Sequence, residues 1–180
     1  MVGNINIRPI VPADIPQLMG LDHSAASDHV WQLELRREPR GQQISAVLRE
    51  VRLPREVALV YPNDPFALAD DWMSRAAIFV AVSGQAPIGY ACLTEPRPST
   101  GWVTDLVVAP RWRRQGVGSA LLSSAHAWSS EKNHRRIFIE MQSKNHAAIR
   151  LAQKNAYEFC GYNDHYYSTQ DVALFFVRAP

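Results

Sequence analysis

Hydrophobic and polar positions predict strands along much of the chain. Residues 5–7 alternate between apolar and polar ahead of a proline, which is typical of a short strand. The apolar run 77–82 and the run 88–94 flank a turn sequence with glycine and proline, and this arrangement predicts an antiparallel hairpin. Further strands are predicted at residues 44–53, 57–61, 102–108, 137–141, 157–162 and 172–177.

Helical spacing follows two of these strands. Apolar residues between Gly116 and about Ser130 recur at helical intervals and predict one amphipathic helix. Ser143 or Asn145 is predicted to cap the next helix, because either side chain can accept a hydrogen bond from a first-turn amide. The inner face of that helix is predicted to hold Ala148, Leu151 and Ala152.

The remaining segments carry weaker signals. Pro12 and Asp14 predict the start of a helix, and a short helix is predicted at 69–75. Residues 22–32 are predicted to form an irregular or helical surface element, and residues 95–101 a loop. The main elements follow the order β-α-β-β-β-β-β-α-β-α-β-β, which predicts an α/β fold with a mixed sheet.

Composition and charge exclude several classes of protein. At 180 residues, the chain is long enough for one domain with a sizeable core and too short for two ordinary ones. Hydrophobic residues make up 47% and charged residues 20%, which is typical of a folded globular protein. A formal net charge of +2 is too small to imply a nucleic-acid or membrane partner by itself, and we expect neither.

Cysteine usage and the terminal sequence predict a cytoplasmic protein. Cys92 and Cys160 are the only cysteines, so we expect neither a disulfide framework nor a metal site with paired ligands. The N-terminus lacks a basic stretch followed by an apolar run, and no apolar run reaches the length of a membrane span.

The loop after the strand at 102–108 carries the clearest chemistry. It contains several arginines and enters a helix through the pattern Arg113-x-x-Gly116-x-Gly118. Glycines let backbone amides approach an anion, the helix start adds free donors, and arginines pair with phosphate oxygens. The spacing differs from that of the P-loop and of the dinucleotide-binding fingerprint. It predicts a diphosphate site, although a solvated basic loop with helix-capping glycines would contain the same residues.

Two segments resemble the GNAT family of N-acetyltransferases. The first is the loop itself, with Leu106-x-Val108-x-Pro110 ahead of the arginines and Ala120-Leu121-Leu122 behind the glycines. The second is Asn145-x-x-Ala148-Ile149-x-Leu151-x-x-Lys154, which is similar to a later motif of the family. Together they cover roughly residues 102–162. Residues 159–167 are similar to a bacterial subgroup around streptothricin-type acetyltransferases.

The resemblance implies a fold and a division of the chain. The expected fold is α/β, with a mixed, mostly antiparallel sheet that is flanked by helices and splayed at its centre, between the strands at 102–108 and 137–141. One acetyltransferase domain would span residues 1–180, with acceptor-side elements at 1–75 and the acetyl-CoA-binding core at 76–180.

Acetyl-CoA is the cosubstrate that the resemblance implies, with no metal. Backbone groups of Leu106, Val107 and Val108 would hold the pantetheine arm and polarise the thioester carbonyl. Asn145 would lie beside the same arm. The diphosphate would be bound by residues of the loop and of the first helical turn, namely Arg113, Arg114, Gln115, Gly116, Val117, Gly118 and Ser119.

Acetyl transfer to an amine calls for a general base. An alkylammonium group has a pKa of about 10.4 and must lose a proton before it can attack. Asp105 is the first candidate because it directly precedes the thioester-binding backbone, although a structural ion pair would also account for it. Glu95 ranks second and Glu140 third.

The general acid has no residue at the expected position. The motif position that the family usually fills with tyrosine holds Ala152, and the usual glycine is replaced by Ala156. Either no protein acid is needed or another tyrosine serves, the candidates being Tyr157, Tyr162, Tyr166 and Tyr167.

The sequence therefore predicts an enzyme that transfers acetyl from acetyl-CoA to an amine of a small molecule or of a protein. The alternative is a catalytically silent acetyl-CoA-binding regulatory module, which Ala152 favours. Asp22, His23, Asp28 and His29 either line the acceptor site or belong to a polar surface. The apolar strand at 172–177 is either core or the interface of a homodimer.

Overall fold

A computed structural model describes residues 5–37, 41 and 43–180, which form nine strands and four α-helices. The strands are β1 (Ile5–Pro9), β2 (Ala25–Arg37), β3 (Ile44–Leu59), β4 (Ala77–Ser83), β5 (Ala86–Arg97), β6 (Thr100–Val108), β7 (Arg136–Gln142), β8 (Glu158–Asn163) and β9 (Ala173–Arg178). The helices are α1 (Ile15–Met19), α2 (Leu68–Asp71), α3 (Val117–Glu131) and α4 (His146–Lys154). None of the helices in these ranges has the length and apolar character needed to cross a bilayer.

Seven strands form one mixed sheet in the order β1-β4-β5-β6-β7-β9-β8, and β2 and β3 form a separate hairpin. All neighbours in the large sheet are antiparallel except β6 and β7, which are parallel and connected through α3. Their register runs only from Thr100 opposite Arg136 to Val103 opposite Ile139. Beyond these residues the two strands separate, so the sheet is splayed at its centre as predicted.

A β-bulge in β6 decides which way the strand's side chains point. Asp105 lies opposite Cys92 and Val103 lies opposite Leu93, so Thr104 is an extra residue. Val103 packs against the α3 side of the sheet, whereas Val107 packs on the opposite face, with Leu18 of α1. Asp105, two residues before Val107, therefore faces the α1 side of the sheet.

The prediction for residues 22–32 was wrong, because β2 covers most of them. The strands predicted at 44–53 and 57–61 are one long strand, β3, and the pairing register shifts between Ser27 and His29, opposite the predicted break at Pro54. The local sequence is too polar to indicate a strand. What holds β2 in place is long-range packing, since Trp31 is 9% exposed and lies in the core with Ile149 of α4.

Two smaller predictions also need correction. Residues 95–101 do not form a loop, because β5 continues to Arg97 and β6 begins at Thr100, with Ser99 in the left-handed region (φ 59°) at the turn. The helix predicted at 69–75 is α2 followed by a separate 3-10 turn, Trp72–Ser74. The other predicted helices and strands lie within a few residues of their predicted bounds.

The end of α4 shows why glycine suits the position that Ala156 occupies in the later motif. The amide of Ala156 donates to the carbonyl of Gln153, and the amide of Tyr157 donates to that of Ala152, both at 3.0 Å. These are the two hydrogen bonds of a Schellman cap, which requires a left-handed residue after the helix. Ala156 adopts a φ of 60° there, a conformation in which its Cβ is strained and glycine is not.

We therefore expect Ala156→Gly to stabilise the fold by about 1 kcal/mol, because it removes the left-handed strain. Chemical denaturation of the two proteins measures this difference. Ala127→Gly is the matched control, since Ala127 is exposed in the middle of α3 and should lose about 0.5–1 kcal/mol. If both variants were destabilised to the same extent, the left-handed strain at Ala156 would be unimportant.

Candidate active site

The loop between β6 and α3 has the geometry of an anion-binding turn. Gly116 caps α3 in the left-handed region with a φ of 87°, and Arg114 is also left-handed, with a φ of 63°. The amide of Ala120 donates to the carbonyl of Gly116 at 3.0 Å, so the helical ladder begins there. The amides of Val117, Gly118 and Ser119 precede this first bond and are the free donors of a helix start.

The side chains of the loop mostly hold the loop itself. Arg113 donates from Nε to the carbonyl of Val108 at 2.8 Å and from Nη2 to the carbonyl of Ser24 at 2.7 Å. Gln115 donates to the carbonyl of Arg111 at 2.7 Å. Arg113 thus joins the end of β6 to the segment before β2, while the side chain of Arg114 is exposed.

The starts of α3 and α4 lie at the same edge of the sheet, because each follows one of the two parallel strands. Asn145 caps α4, its Oδ1 accepting the amide of Ala148 at 3.1 Å. Gly118 lies against α4 so closely that a Cβ would be 2.8 Å from Cδ2 of Leu151. The predicted cofactor residues on β6, in the loop and at Asn145 therefore surround one end of the splay.

A cavity of about 460 Å³ opens on the α1 side of the sheet, where β6 and β7 separate. Its walls come from the segment 62–68, from β5, β6 and β7, and from Tyr166. Its charged lining residues are Asp64, Arg75, Asp105 and Glu140. Three carboxyl groups against one guanidinium give the cavity an excess of negative charge.

Asp105 is the most extensively hydrogen-bonded side chain of this cavity and is only 8% exposed. Its carboxylate accepts from the hydroxyl of Tyr61 at 2.5 Å, from Nδ2 of Asn63 at 2.7 Å and from its neighbour Thr104 at 3.0 Å. Nη1 of Arg75 lies 3.8 Å away. No local signal in the sequence pointed to Tyr61 and Asn63, which are more than 40 positions away from Asp105 in the chain.

Glu140 faces the same cavity from β7, one residue beyond the last β6–β7 pair. Its Oε2 accepts from Nε1 of Trp102 at 2.9 Å and from the hydroxyl of Tyr166 at 2.5 Å. Burial raises the pKa of Glu140 above its ordinary value and the charge of Asp105 raises it further, while the two hydrogen bonds act in the opposite direction. Glu140, the third-ranked candidate for the general base, thus lies in the same cavity as Asp105, the first-ranked candidate.

Glu95 lies elsewhere. Its carboxylate is 2.5 Å from Nε2 of His134, whose Nδ1 contacts the hydroxyl of the fully buried Ser129 at 3.0 Å. Glu95 is not among the residues that line the cavity, so the structure does not bring it to Asp105.

The candidate tyrosines also separate in space. Ala152 is fully buried in the core beside Tyr157, and Tyr157 contacts Nε2 of His126 at 2.9 Å. Tyr166, in the turn between β8 and β9, is the candidate tyrosine that reaches the cavity.

The two histidines predicted for the acceptor site or a polar surface do not line the cavity. His29 stacks on His146 at 4.6 Å, and His23 lies against Tyr61 and Tyr90.

Comparisons with known proteins show the family and the fold of the chain. The sequence profile of the acetyltransferase (GNAT) family matches residues 29–157. Streptothricin acetyltransferase of Streptomyces lavendulae is 24% identical over 164 residues, which cover 86% of this chain and 82% of that protein. The crystal structure of nourseothricin acetyltransferase has a TM-score of 0.79 and 25% identity, and covers 97% of this chain and 98% of that one.

A putative streptothricin acetyltransferase from Bacillus anthracis, solved in complex with acetyl coenzyme A, has the same fold. Its TM-score is 0.77 at 20% identity, over 98% of this chain and 100% of that one. The chain belongs to the acetyltransferase (GNAT) family. It is an acetyl-CoA-dependent N-acetyltransferase, as the sequence predicted, and the resemblance to the streptothricin-type subgroup is confirmed. The comparisons give no support to the silent regulatory module.

We expect Gly118→Ala to lower the affinity for CoA and the melting temperature, because the new Cβ would push the first turn of α3 away from Leu151. Overpacking of this kind costs about 1–3 kcal/mol. Calorimetric titration with CoA and thermal unfolding measure the two effects. Adding Leu151→Ala creates room for the Cβ, so the double variant should recover part of the CoA affinity. Independent, additive losses would argue against this contact.

Proposed function

We propose that the acceptor is a cationic primary amine on a small molecule and that it binds in the acidic cavity between Asp105 and Glu140. The observation that carries this proposal is the pair of carboxylates, one on each strand of the splay, facing the same cavity. An ammonium group between them is attracted by both charges. In this position its nitrogen lies next to the gap between β6 and β7, where the thioester would enter.

The cofactor would lie in that gap. On β6, Leu106, Val107 and Val108 pair with β5 on one side, but beyond Val103 the strand has no register partner in β7 on the other. The carbonyl of Val108 already accepts from Arg113 at 2.8 Å. The other backbone groups of these residues on that side are suited to hold the pantetheine arm and to polarise the thioester carbonyl. The amides of residues 115–119, with Arg114 nearby and Arg113 fixing the loop, would bind the diphosphate. Asn145 would lie beside the arm.

Proton balance gives each carboxylate a role. An ammonium and acetyl-CoA give an amide, the free thiol and one proton, so the nitrogen loses two protons. Asp105 would take the first, which frees the nitrogen lone pair for attack. Glu140 would take the second, and its partner Tyr166 could donate to the departing sulfur. A thiol has a pKa of about 8.5, so this donor would help only modestly.

The names of similar proteins suggest the first substrates to test. Two of these names contain streptothricin and nourseothricin.

A cytoplasmic location is also part of the proposal, supported by the two free cysteines, of which Cys92 is buried and Cys160 exposed. Division into acceptor-side elements at 1–75 and a cofactor core at 76–180 is supported by the segment 62–68, which lines the cavity.

We expect release of CoA from acetyl-CoA with at least one cationic amine in a panel of streptothricin, nourseothricin, lysine and a peptide with a free N-terminus. Mass spectrometry identifies the acetylated product. If no amine raised CoA release above hydrolysis, the proposed substrate class would be wrong.

In the same assay, Asp105→Asn should lower kcat/KM for a cationic amine by a factor of about 10²–10⁴. It should affect an aromatic amine much less, because that amine is already neutral at pH 7. Glu140→Gln should lower both, and neither should change the Kd for acetyl-CoA. Glu95→Gln is the matched control and should behave like the wild type. Equal losses for both amines in Asp105→Asn would point to a structural role.

Tyr166→Phe tests the proposed role of Glu140 through the pH profile. A base works only when deprotonated, so kcat/KM falls as the pH drops through the pKa of Glu140. Because the hydrogen bond from Tyr166 lowers that pKa, its loss should move the acidic limb to higher pH. An unchanged or lower limb would show that another group controls it.

A further inference from the structure

A pair of stacked histidines joins the β2–β3 hairpin to the start of α4. His29 of β2 and His146, the first residue of α4, have ring centroids 4.6 Å apart and planes that differ by 21°. Oε1 of Glu50, on β3, lies 3.7 Å from Nε2 of His146 and 3.9 Å from Nε2 of His29. Neither histidine lines the acceptor cavity, so the proposed chemistry leaves the pair without a role.

The tautomer of His146 follows from its contact with Trp31. Nε1 of the indole lies 3.2 Å from Nδ1 of His146. An indole N–H can only donate, so Nδ1 is the bare nitrogen of a neutral imidazole and Nε2 carries the proton. An imidazolium has a proton on both nitrogens and cannot accept. Protonation of His146 therefore replaces the hydrogen bond from Trp31 with two N–H groups that face each other.

Trp31 has little freedom to adjust to that loss. It is 9% exposed and packs in the core with Ile149 and Ala152 of α4. Among the described residues, Nδ1 of His146 is the acceptor for the indole N–H, and a buried N–H without an acceptor is costly. The indole or the imidazole must therefore move when His146 gains a proton.

The same tryptophan holds the turn before α4. The amide of Trp31 donates to the carbonyl of Ser143 at 2.9 Å, and Ser143 is only 7% exposed. Asn145, two residues further on, caps the helix through the amide of Ala148 and is proposed to lie beside the pantetheine arm. Trp31 and His146 thus hold this turn from its two ends.

From this geometry we infer that His146 is a pH-sensitive positioning residue of the cofactor site. The neutral ring accepts from Trp31 and keeps the turn 143–145 in the arrangement that binds CoA. The imidazolium releases Trp31 and lowers the affinity for CoA. This inference rests on the proposed function in one respect, that Asn145 lies beside the pantetheine arm, and it is independent of the acceptor.

The groups packed against His146 come from β2, β3 and α4. Burial lowers the pKa of His146 below its ordinary value of 6.5; the charges of Glu50 and Asp28 raise it, and those of His29 and Arg150 lower it. A histidine whose pKa is lowered in the folded arrangement stabilises that arrangement fully above the ordinary pKa. The stabilisation is lost as the pH falls through the lowered pKa. The affinity for CoA should therefore be constant above about pH 7 and weaken below about pH 6.5.

The experiment is calorimetric titration with CoA from about pH 8 down to about pH 5.5, on the wild type, His146→Asn and Trp31→Phe. Asparagine has its Oδ1 where histidine has Nδ1, so it can accept from Trp31 at every pH. Trp31→Phe removes the donor, so protonation of His146 breaks no bond. Across this range the wild type should lose about tenfold more affinity than either variant, which corresponds to one hydrogen bond. The double variant should be no less pH-dependent than either single one, because both remove the same contact.

His126→Gln is the matched control for this experiment. His126 also contacts an aromatic side chain, the hydroxyl of Tyr157 at 2.9 Å, but it lies on α3. Burial lowers the pKa of His126 to about 4, so the ring stays neutral across most of the range. This control should keep the pH dependence of the wild type. Phosphate groups of CoA with a pKa of about 6 affect all the proteins alike, so the difference between proteins is the result to compare.

A second measurement uses the wild type alone. If protonation of His146 weakens CoA binding, CoA must in turn lower the pH at which His146 titrates. NMR of the imidazole Cε1–H, assigned with His146→Asn, follows this titration with and without CoA. We expect His146 to titrate at lower pH in the complex, even if Trp31→Phe fails to fold.

The possible failures are distinguishable. Equal pH dependence in the wild type and His146→Asn would overturn the inference, and so would a His146 ring that titrates at the same pH with and without CoA. If no amine of the panel is acetylated, the proposed acceptor is wrong, while the CoA titrations still decide the role of His146. If the wild type does not bind CoA at any pH, the proposed function and this inference fail together.

Discussion

Between β6 and β7 the parallel ladder ends at Val103 and Ile139, and the backbone beyond these residues has no strand partner across the gap. Buried N–H and C=O groups are costly unless they find partners. A ligand with an extended polar arm satisfies them, and an acetyl-CoA-dependent enzyme uses such a ligand. The same gap lets two carboxylates from neighbouring strands face one cavity. The sites proposed for the cofactor and the acceptor therefore meet at the point where the sheet divides.

The bulge at Thr104 changes which face of the sheet the side chains of β6 point to. Before it, Val103 packs towards α3, and after it Val107 packs towards α1, so Asp105 turns away from the α3 side. Without the extra residue, Asp105 would point to the opposite face, since a shift of one position reverses a strand's alternation. One inserted residue thus places the carboxylate in the cavity rather than in the core.

The β2–β3 hairpin is joined to α4 and to the turn before that helix. Trp31 donates to Nδ1 of His146 at 3.2 Å at the start of α4, and Glu50 of β3 forms an ion pair with Arg150 of the same helix. The amide of Trp31 donates to the carbonyl of Ser143 at 2.9 Å, two residues before Asn145. The hairpin that precedes the cavity-lining segment is therefore fixed to the helix that follows Asn145.

The sequence by itself determined the features whose physics is local. The glycines and arginines from Arg113 to Gly118 and the hairpin of β4 and β5 each depend on neighbouring residues and could be located before the structure. The cap of α4 is also local, and the sequence narrowed it to Ser143 or Asn145. The family and the activity followed from these segments.

Only the tertiary structure decided which polar groups share a cavity. It brought Tyr61 and Asn63 to Asp105, Tyr166 to Glu140 and Tyr90 to His23, and it placed Glu95 beside His134 instead. It also made most of the polar segment 22–32 part of a strand, β2. Contacts between residues tens of positions apart leave no periodicity in the sequence, because they depend on where the sheet is splayed, where a strand bulges and how a loop returns.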